Sequence, residues 1–426
     1  MSAATNDIDT LTRDVTAMAE KARAASRALA MVETEVKNKA LLAMAHIILE
    51  SKTAIIKENA ADVAAATKAG VGKALIDRLT LDDDRVQGIA KGLQEMAHLE
   101  DPTNEVLREW TRPNGMRIRQ LRVPLGVIGM IYEARPNVTA EAAGLCLKSG
   151  NAVILRGGSE AYHSNKILVD LISAAASKAG VPANAIQMLP PQDRRSTRIL
   201  SQARGKVDLI IARGSEEMIT EVSAHATVPV LGHGKGVCHV YIDKSADMEK
   251  AVNIAFNAKV QRPGVCNAME SLLVHDYMMW DILPKISAKY IKAGVEMRGD
   301  EKVVGLIPQA KPAGERDWGT EYHDKIVSIK VVNSLEEAID HINRYGSGHT
   351  DSIITEDKQA AAKFERAVDS SCVMVNASTR LHDGGMFGFG SEIGISTQKL
   401  HARGTMGLKE LTTTKYIVEG NGQVRE

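Results

Sequence analysis

The run Gly126-Val127-Ile128-Gly129-Met130-Ile131-Tyr132 sets the reading of this chain. It is short and apolar, and four more such runs follow at 152–155, 185–188, 207–212 and 228–231. Helical patterns lie between them; in 166–178, Leu168, Leu171, Ile172 and Ala175 share one face. Strand and helix in alternation predict a parallel sheet covered by helices, with ligands at the carboxyl ends of the strands. A second series begins near Val237, with a strand at 237–242, a helix at 251–260 and a strand at 271–275. The reading is therefore two α/β domains, with the switch near Gly232-His233-Gly234-Lys235-Gly236.

Upstream, residues from about 8 to 100 read as helices. Leu41, Met44, Ala45 and Ile48 fall at helical spacing, as do Val86, Ile89, Leu93 and Met96. Thr80 followed by Asp83 resembles a helix N-cap box. Runs at 105–111 and 116–123 flank Pro113-Asn114-Gly115, a turn signal that predicts a hairpin. Its second strand sets Met116 and Ile118 against Arg117 and Arg119, one face apolar and the other a solvated or paired basic surface.

Lys+Arg and Asp+Glu both number 53, and aromatic residues make up 4% of the 426. A balanced charge with few rings argues against nucleic acid or an anionic membrane as partner. No apolar run approaches the roughly 18 residues of a membrane span, and no secretory leader is visible, so the expectation is a cytoplasmic protein. Cys146, Cys238, Cys266 and Cys372 include no CxxC pair, and the histidines show no HxxxH or HExxH spacing. No metal is expected.

Gly70-Val71-Gly72-Lys73 fails as a phosphate loop, since Thr67 stands at the first glycine and Ala74 at the Ser/Thr. Gly388-Phe389-Gly390 reaches Gly394 with one residue too many for a dinucleotide fingerprint. Cys266, in Arg262-Pro263-Gly264-Val265-Cys266-Asn267, follows a loop signal, with Arg262 at hand to hold a thiolate. Two readings stay open for it, a nucleophile or a small buried hydrophobe. Cys146 and Cys372 read as core, and His349-Thr350-Asp351 reads as a polar site or a solvated turn.

Together these segments resemble the aldehyde dehydrogenase superfamily and, within it, the glutamyl phosphate reductase family. Val123-Pro124-Leu125-Gly126-Val127-Ile128-Gly129 is similar to the approach to that family's first cofactor-domain strand. Gly150 to Arg156 with Ser159 and Glu160 looks like its adenosine-ribose segment, and Arg213-Gly214-Ser215 like its pyrophosphate turn. The most specific likeness is 332–353, VNSLEEAIDHINRYGSGHTDSI, including His341, His349 and Asp351.

The resemblance implies an aldehyde dehydrogenase-like α/β fold: a cofactor-binding domain over 1–104 and 124–232, a catalytic domain over 233–401, and an oligomerisation arm over 105–123 and 402–426. It implies NADPH-dependent reduction of L-glutamyl 5-phosphate to L-glutamate 5-semialdehyde and phosphate, through a thioester on Cys266, in proline biosynthesis. Asn137 and the Cys266 N–H would hold the oxyanion. Arg156, Ser159, Glu160, Gly214, Ser215 and Glu321 would bind NADP, with Arg156 suiting a 2′-phosphate. Arg135, Arg262 and His349 are candidate anion holders, Arg380 and Glu392 candidates for the glutamyl α-groups, and Asp351 belongs to the same substrate set. The tail 411–418 would pair with a neighbouring subunit's sheet in a homodimer or homotetramer, and a separate glutamate 5-kinase would supply the substrate.

Hydrolytic relatives carry a water-activating Glu about thirty-five residues before the nucleophile, whereas no carboxylate lies between Thr227 and Ile242. That departure favours phosphate as the acyl acceptor. A CoA-acylating or ordinary aldehyde dehydrogenase is the rival enzyme reading, and a catalytically retired binding protein is the rival of another class.

Overall fold

Strand Val127–Tyr132 is buried along its whole length, which accounts for a run without alternation: both faces of a parallel sheet are covered. In the computed structural model, which describes residues 3–190 and 194–425, it is the centre of five parallel strands. The order is Ile186–Met188, Ala152–Arg156, Val127–Tyr132, Leu209–Arg213, Val230–Leu231. The chain steps outward to one edge and then returns to the other side of Val127–Tyr132. The switch point therefore lies between that strand and Leu209–Arg213. Val15, Ala19 and Ala22 of helix Ala3–Leu29 pack against Val127, Ile131, Ile154 and Ile210.

By its internal contacts the chain forms two units. One is Met1–Gly232 with Gly388–Gly394 and Met406–Glu426; the other is His233–Phe387 with Ile395–Thr405. Residues 388–394 thus interrupt the span read as catalytic. Gly390 lies so close to Leu99 that an added Cβ would meet Leu99 Cδ2 at 2.6 Å. The second unit holds seven parallel strands in the order Lys311–Pro312, Glu296–Gly299, Ile326–Val332, Met269–His275, Cys238–Ile242, Thr350–Ile354, Cys372–Val375. One cluster joins Val240, Leu272 and Ile329 to Ile282, Ile286 and Tyr290; another joins Tyr241, Leu273 and Ile353 to Ile339, Ile342 and Phe364.

In the helical region, the apolar stripes at Leu41–Ile48 and Val86–Met96 are buried. The N-cap of Asp83–His98 is Asp82, which accepts from Arg85 N, rather than Thr80. The Thr80 hydroxyl donates back to Ile76 O at 2.8 Å and closes the preceding helix instead.

The hairpin Val106–Thr111 and Arg117–Pro124 forms a three-stranded antiparallel sheet with Thr412–Glu419. Its basic face is paired: Arg117 with Glu109, Arg119 with Glu419, Arg122 with Glu105. One edge of the tail is thus taken by the hairpin of the same chain, so pairing with a neighbouring subunit would use the other edge. Asn151 donates to Leu411 O at 2.8 Å and ties the tail to the first unit.

Candidate active site

In the first unit the sequence candidates gather at the carboxyl ends of its strands. After Val127–Tyr132 the chain turns through Ala134, a non-glycine residue at φ 32°, and its N–H donates to Glu160 Oε1 at 2.7 Å. Glu133 accepts from Ser215 N at 2.7 Å and Ser215 Oγ at 3.2 Å. A carboxylate therefore occupies the start of helix Glu216–His225, which Ser215 also caps. Gly158 admits the Glu160 carboxylate where a Cβ would stand 2.0 Å from Oε1.

Arg156 donates to Gly157 O at 3.1 Å, while its Nε is buried without a hydrogen-bond partner among the described residues. Burial lowers the Arg156 pKa from its usual range, and Glu160 and Glu133 oppose that while Arg194 adds to it. Ser159, Gly214 and Ser215 are exposed. Asn137 stands in the first turn of helix Pro136–Lys148 and donates to Glu141 Oε1 at 2.9 Å, which leaves the second amide hydrogen for another acceptor.

In the second unit the candidates gather at the opposite, amino ends of the strands. This differs from the carboxyl-end expectation. Cys266 is half-buried in the turn between helix Met248–Val260 and strand Met269–His275. Its backbone is pressed against Gly236: a Cβ there would stand 2.1 Å from Cys266 O and 2.6 Å from its Cα. The Cys238 thiol, fully buried at the start of its strand, donates to Cys266 O at 3.2 Å, and burial holds its pKa well above normal.

Around Cys266 stands a histidine cluster. Single ligating atoms of His233, Cys266 and His349 all lie within 4.8 Å of one another. Thr350 Oγ1 is 2.7 Å from both His349 Nδ1 and His382 Nδ1. One hydroxyl carries one proton, so it donates to one ring and accepts from the other, and the two imidazoles hold opposite tautomers. Burial lowers the His349 pKa and brings that of His382 to about 4; Cys266 pulls His349 the other way, as a thiolate paired with imidazolium does.

Arg380 donates from Nε to Gln261 Oε1 at 2.8 Å and from Nη1 to Asn267 Oδ1. Burial and then the repulsion of Arg262 lower its pKa, while Cys266 raises it. One guanidinium therefore stands near the thiol, with that of Arg262 beside it. Asn267 Nδ2 donates to His382 O at 2.9 Å and holds the turn.

Other candidates fall elsewhere. Asp351 is fully buried in strand Thr350–Ile354, where it accepts from His239 N at 2.8 Å, His239 Nδ1 at 3.0 Å and Ser370 Oγ. The segment 349–351 is thus buried sheet and not a solvated turn. Glu321 lies 3.5 Å from His323 and near Glu270, a buried carboxylate that pairs with Lys259 at 2.6 Å yet is pushed up to about 8 by burial. Glu392 falls in the 388–394 segment of the first unit, and so in a different unit from Arg380. Arg135 precedes helix Pro136–Lys148, half-buried. Cys146 is buried as read, whereas Cys372 is only half-buried. Sequence reading assigned no role to His233, His382, Thr350 or Gly236; the glycines at 232–236 were the one local signal.

The chain belongs to the aldehyde dehydrogenase family, whose model matches residues 7–314 and 315–417. Within that class it is similar to the gamma-glutamyl phosphate reductase of Halothermothrix orenii, 52% identical over 408 residues, 96% of this chain and 98% of the relative. That of Moorella thermoacetica is 53% identical over 413 residues, 97% and 99% of the two chains. The crystal structure of gamma-glutamyl phosphate reductase from Thermotoga maritima matches with a TM-score of 0.94 at 46% identity, covering 97% of this chain and 100% of that one.

Proposed function

We propose that this chain reduces L-glutamyl 5-phosphate to L-glutamate 5-semialdehyde, with NADPH as reductant and phosphate as leaving group, through a thioester on Cys266. The observation that carries the reading is a cysteine with imidazole and a guanidinium about it, in a chain about half identical to reductases of that name over nearly its full length.

The first unit's residues fit a dinucleotide bearing a 2′-phosphate. The buried Nε of Arg156, without a hydrogen-bond partner among the described residues, and the nearby charge of Arg194 call for an anion at the carboxyl end of Ala152–Arg156. Ser159 and Glu160 would meet the adenosine ribose, Gly214 and Ser215 the pyrophosphate, and Glu321 the nicotinamide ribose. A pyrophosphate at Ser215 would displace the Glu133 carboxylate from that N–H. When bound, the cofactor supplies the hydride.

The chain's own residues do the rest. His349 takes the thiol proton, and the Cys266 thiolate attacks the acyl carbon of the substrate. Arg262 holds the phosphate as the C–O bond breaks, with Arg135 and His349 as further anion contacts. Asn137 and the Cys266 N–H hold the oxyanion. Arg380 and Glu392 are the candidates for the glutamyl α-groups. Asp351, which touches only protein groups in the contacts described, orients His239 beneath the site. No carboxylate stands at 227–242 to activate water, so the thioester is left for reduction or for phosphate.

No helix among the described residues is long and apolar enough to cross a membrane. Action in the cytoplasm, in a homodimer or homotetramer fed by a separate glutamate 5-kinase, completes the proposal. The test is NADP⁺ reduction by glutamate 5-semialdehyde with and without phosphate. Turnover should require phosphate and fall about 10⁴-fold or more in Cys266→Ala. Turnover without phosphate, sustained by water or CoA, would contradict it.

A further inference from the structure

His233, Cys266 and His349 lie far apart in the sequence, in none of the spacings by which metal sites are usually recognised. The fold nevertheless brings one ligating atom of each within 4.8 Å of the others. Their donor set, two imidazole nitrogens and a sulfur, is the set that zinc-type cations select over magnesium or calcium. We propose that these three side chains form a capture site for a soft divalent cation of the zinc class, which blocks the Cys266 thiol reversibly. The site is inhibitory rather than a cofactor site, and it does not depend on which acyl phosphate the enzyme reduces.

The surroundings of both rings support it. His233 Nδ1 lies 2.9 Å from Ile395 O, a group that only accepts, so Nδ1 carries the proton and Nε2 the lone pair of the neutral ring. That is the backbone-carbonyl support that ligating histidines commonly have. His349 is held at Nδ1 by Thr350 Oγ1, and its Nε2, buried with no hydrogen-bond partner among the described residues, carries the lone pair when Thr350 accepts from Nδ1 and donates to His382. The ring is fully buried. The Cys238 thiol donates to the Cys266 carbonyl and lies 3.7 Å from His349 Nδ1, the nitrogen that would not ligate.

At Zn–S of about 2.3 Å and Zn–N of about 2.0 Å, tetrahedral ligand atoms stand about 3.5 Å apart. A side-chain contraction of about 1 Å closes the present cluster onto an ion. Three protein ligands leave a fourth position. Arg262 and Arg380 oppose a bare dication there and favour an anion such as phosphate in that position. Binding replaces the S–H bond by S–Zn and releases the thiol proton to solvent, with no change of oxidation state.

The test uses the full-length chain, reduced and metal-free, titrated with Co²⁺ as a spectroscopic probe and then with Zn²⁺, each with and without phosphate. A thiolate-to-cobalt charge-transfer band should saturate at a single equivalent and be bleached by zinc. Zinc should slow iodoacetamide alkylation of Cys266, followed by mass spectrometry, about tenfold or more, and a chelator should restore it. Cys266→Ala should lose the band, and His233→Ala and His349→Gln should each weaken cobalt binding about tenfold or more. The His233 ring is half-buried, so His233→Ala keeps the test decisive if the deeper His349 variant misfolds. A band that survives in Cys266→Ala, cobalt affinity unchanged in His233→Ala, or no band in the wild type would each overturn the proposal.

Discussion

The two units are built alike, as parallel sheets between helices, and place their chemistry at opposite ends. The first unit presents Glu133, Arg156 and Ser215 at the carboxyl ends of its strands, beside a switch point and a helix N-terminus. The second presents Gly236, Cys266 and His349 at the amino ends. A helix N-terminus and glycine turns suit a diffuse anion such as a dinucleotide. Cys266 instead sits in a turn that runs from a helix into a strand, without the helix N-terminus that would favour a thiolate. The second unit offsets that disadvantage with His349, Arg262 and Arg380.

The units differ as sharply in their histidines. His46, His98, His163 and His225 of the first are exposed, whereas five of the second's eight, His239, His275, His341, His349 and His382, are buried, with His233 half-buried and His323 and His401 exposed. Burial brings His382 to about 4 and His341 to about 3, from 6.5. Below pH 6.5 the unfolded chain takes up protons that these folded rings refuse, so their stability contribution is present above 6.5 and lost as pH falls toward 4. The size is on the order of 3 kcal/mol for His382 and 5 kcal/mol for His341, whose loss runs on toward pH 3. Melting followed at pH 8 and pH 5 should show the second unit unfolding first in acid, and His382→Gln should reduce that sensitivity. Equal acid sensitivity in both units would break the contrast.

A smaller effect separates the two kinds of glycine. At Gly236 a Cβ meets the backbone of Cys266, which cannot yield without moving that residue's thiol, whereas at Gly158 it meets the end of the Glu160 side chain, which can swing away. Gly236→Ala should lower kcat about a hundredfold, and Gly158→Ala should change chiefly the KM for NADPH. Equal kcat losses would show that both turns act alike.

Arg156→Gln should raise the KM for NADPH about tenfold and leave that for NADH nearly unchanged, the scale of one charge-assisted hydrogen bond of about 1.5–3 kcal/mol. Glu133→Gln should move the NADPH value the other way, because a neutral amide yields its place at Ser215 N more readily. A like rise for both cofactors in Arg156→Gln would remove the 2′-phosphate from the account. Smallest is Arg119→Ala in the three-stranded sheet, where loss of a surface pair with Glu419 should shift stability by less than about 1 kcal/mol.

Much of this was legible in the sequence. The apolar runs from Val127 onward marked the strands, and the change near Gly232 marked the boundary between units, because local periodicity carries that information. His349-Thr350-Asp351 invited the reading of a solvated turn, because three polar residues after Gly346-Ser347-Gly348 look the same whether or not other strands cover them. Their burial comes from pairing with Cys238–Ile242 and Cys372–Val375, both distant in sequence. The convergence of His233 on Cys266 was hidden for the same reason. Gly236 could be seen as a glycine, but its contact with Cys266 could not.

The most direct measurement is mass spectrometry of the Cys266 peptide after the enzyme is mixed with NADP⁺ and glutamate 5-semialdehyde in phosphate-free buffer. The account predicts a glutamyl adduct on Cys266 that accumulates there and disappears when phosphate is added. NADPH formed with no adduct on Cys266, or an adduct on another cysteine, would contradict it.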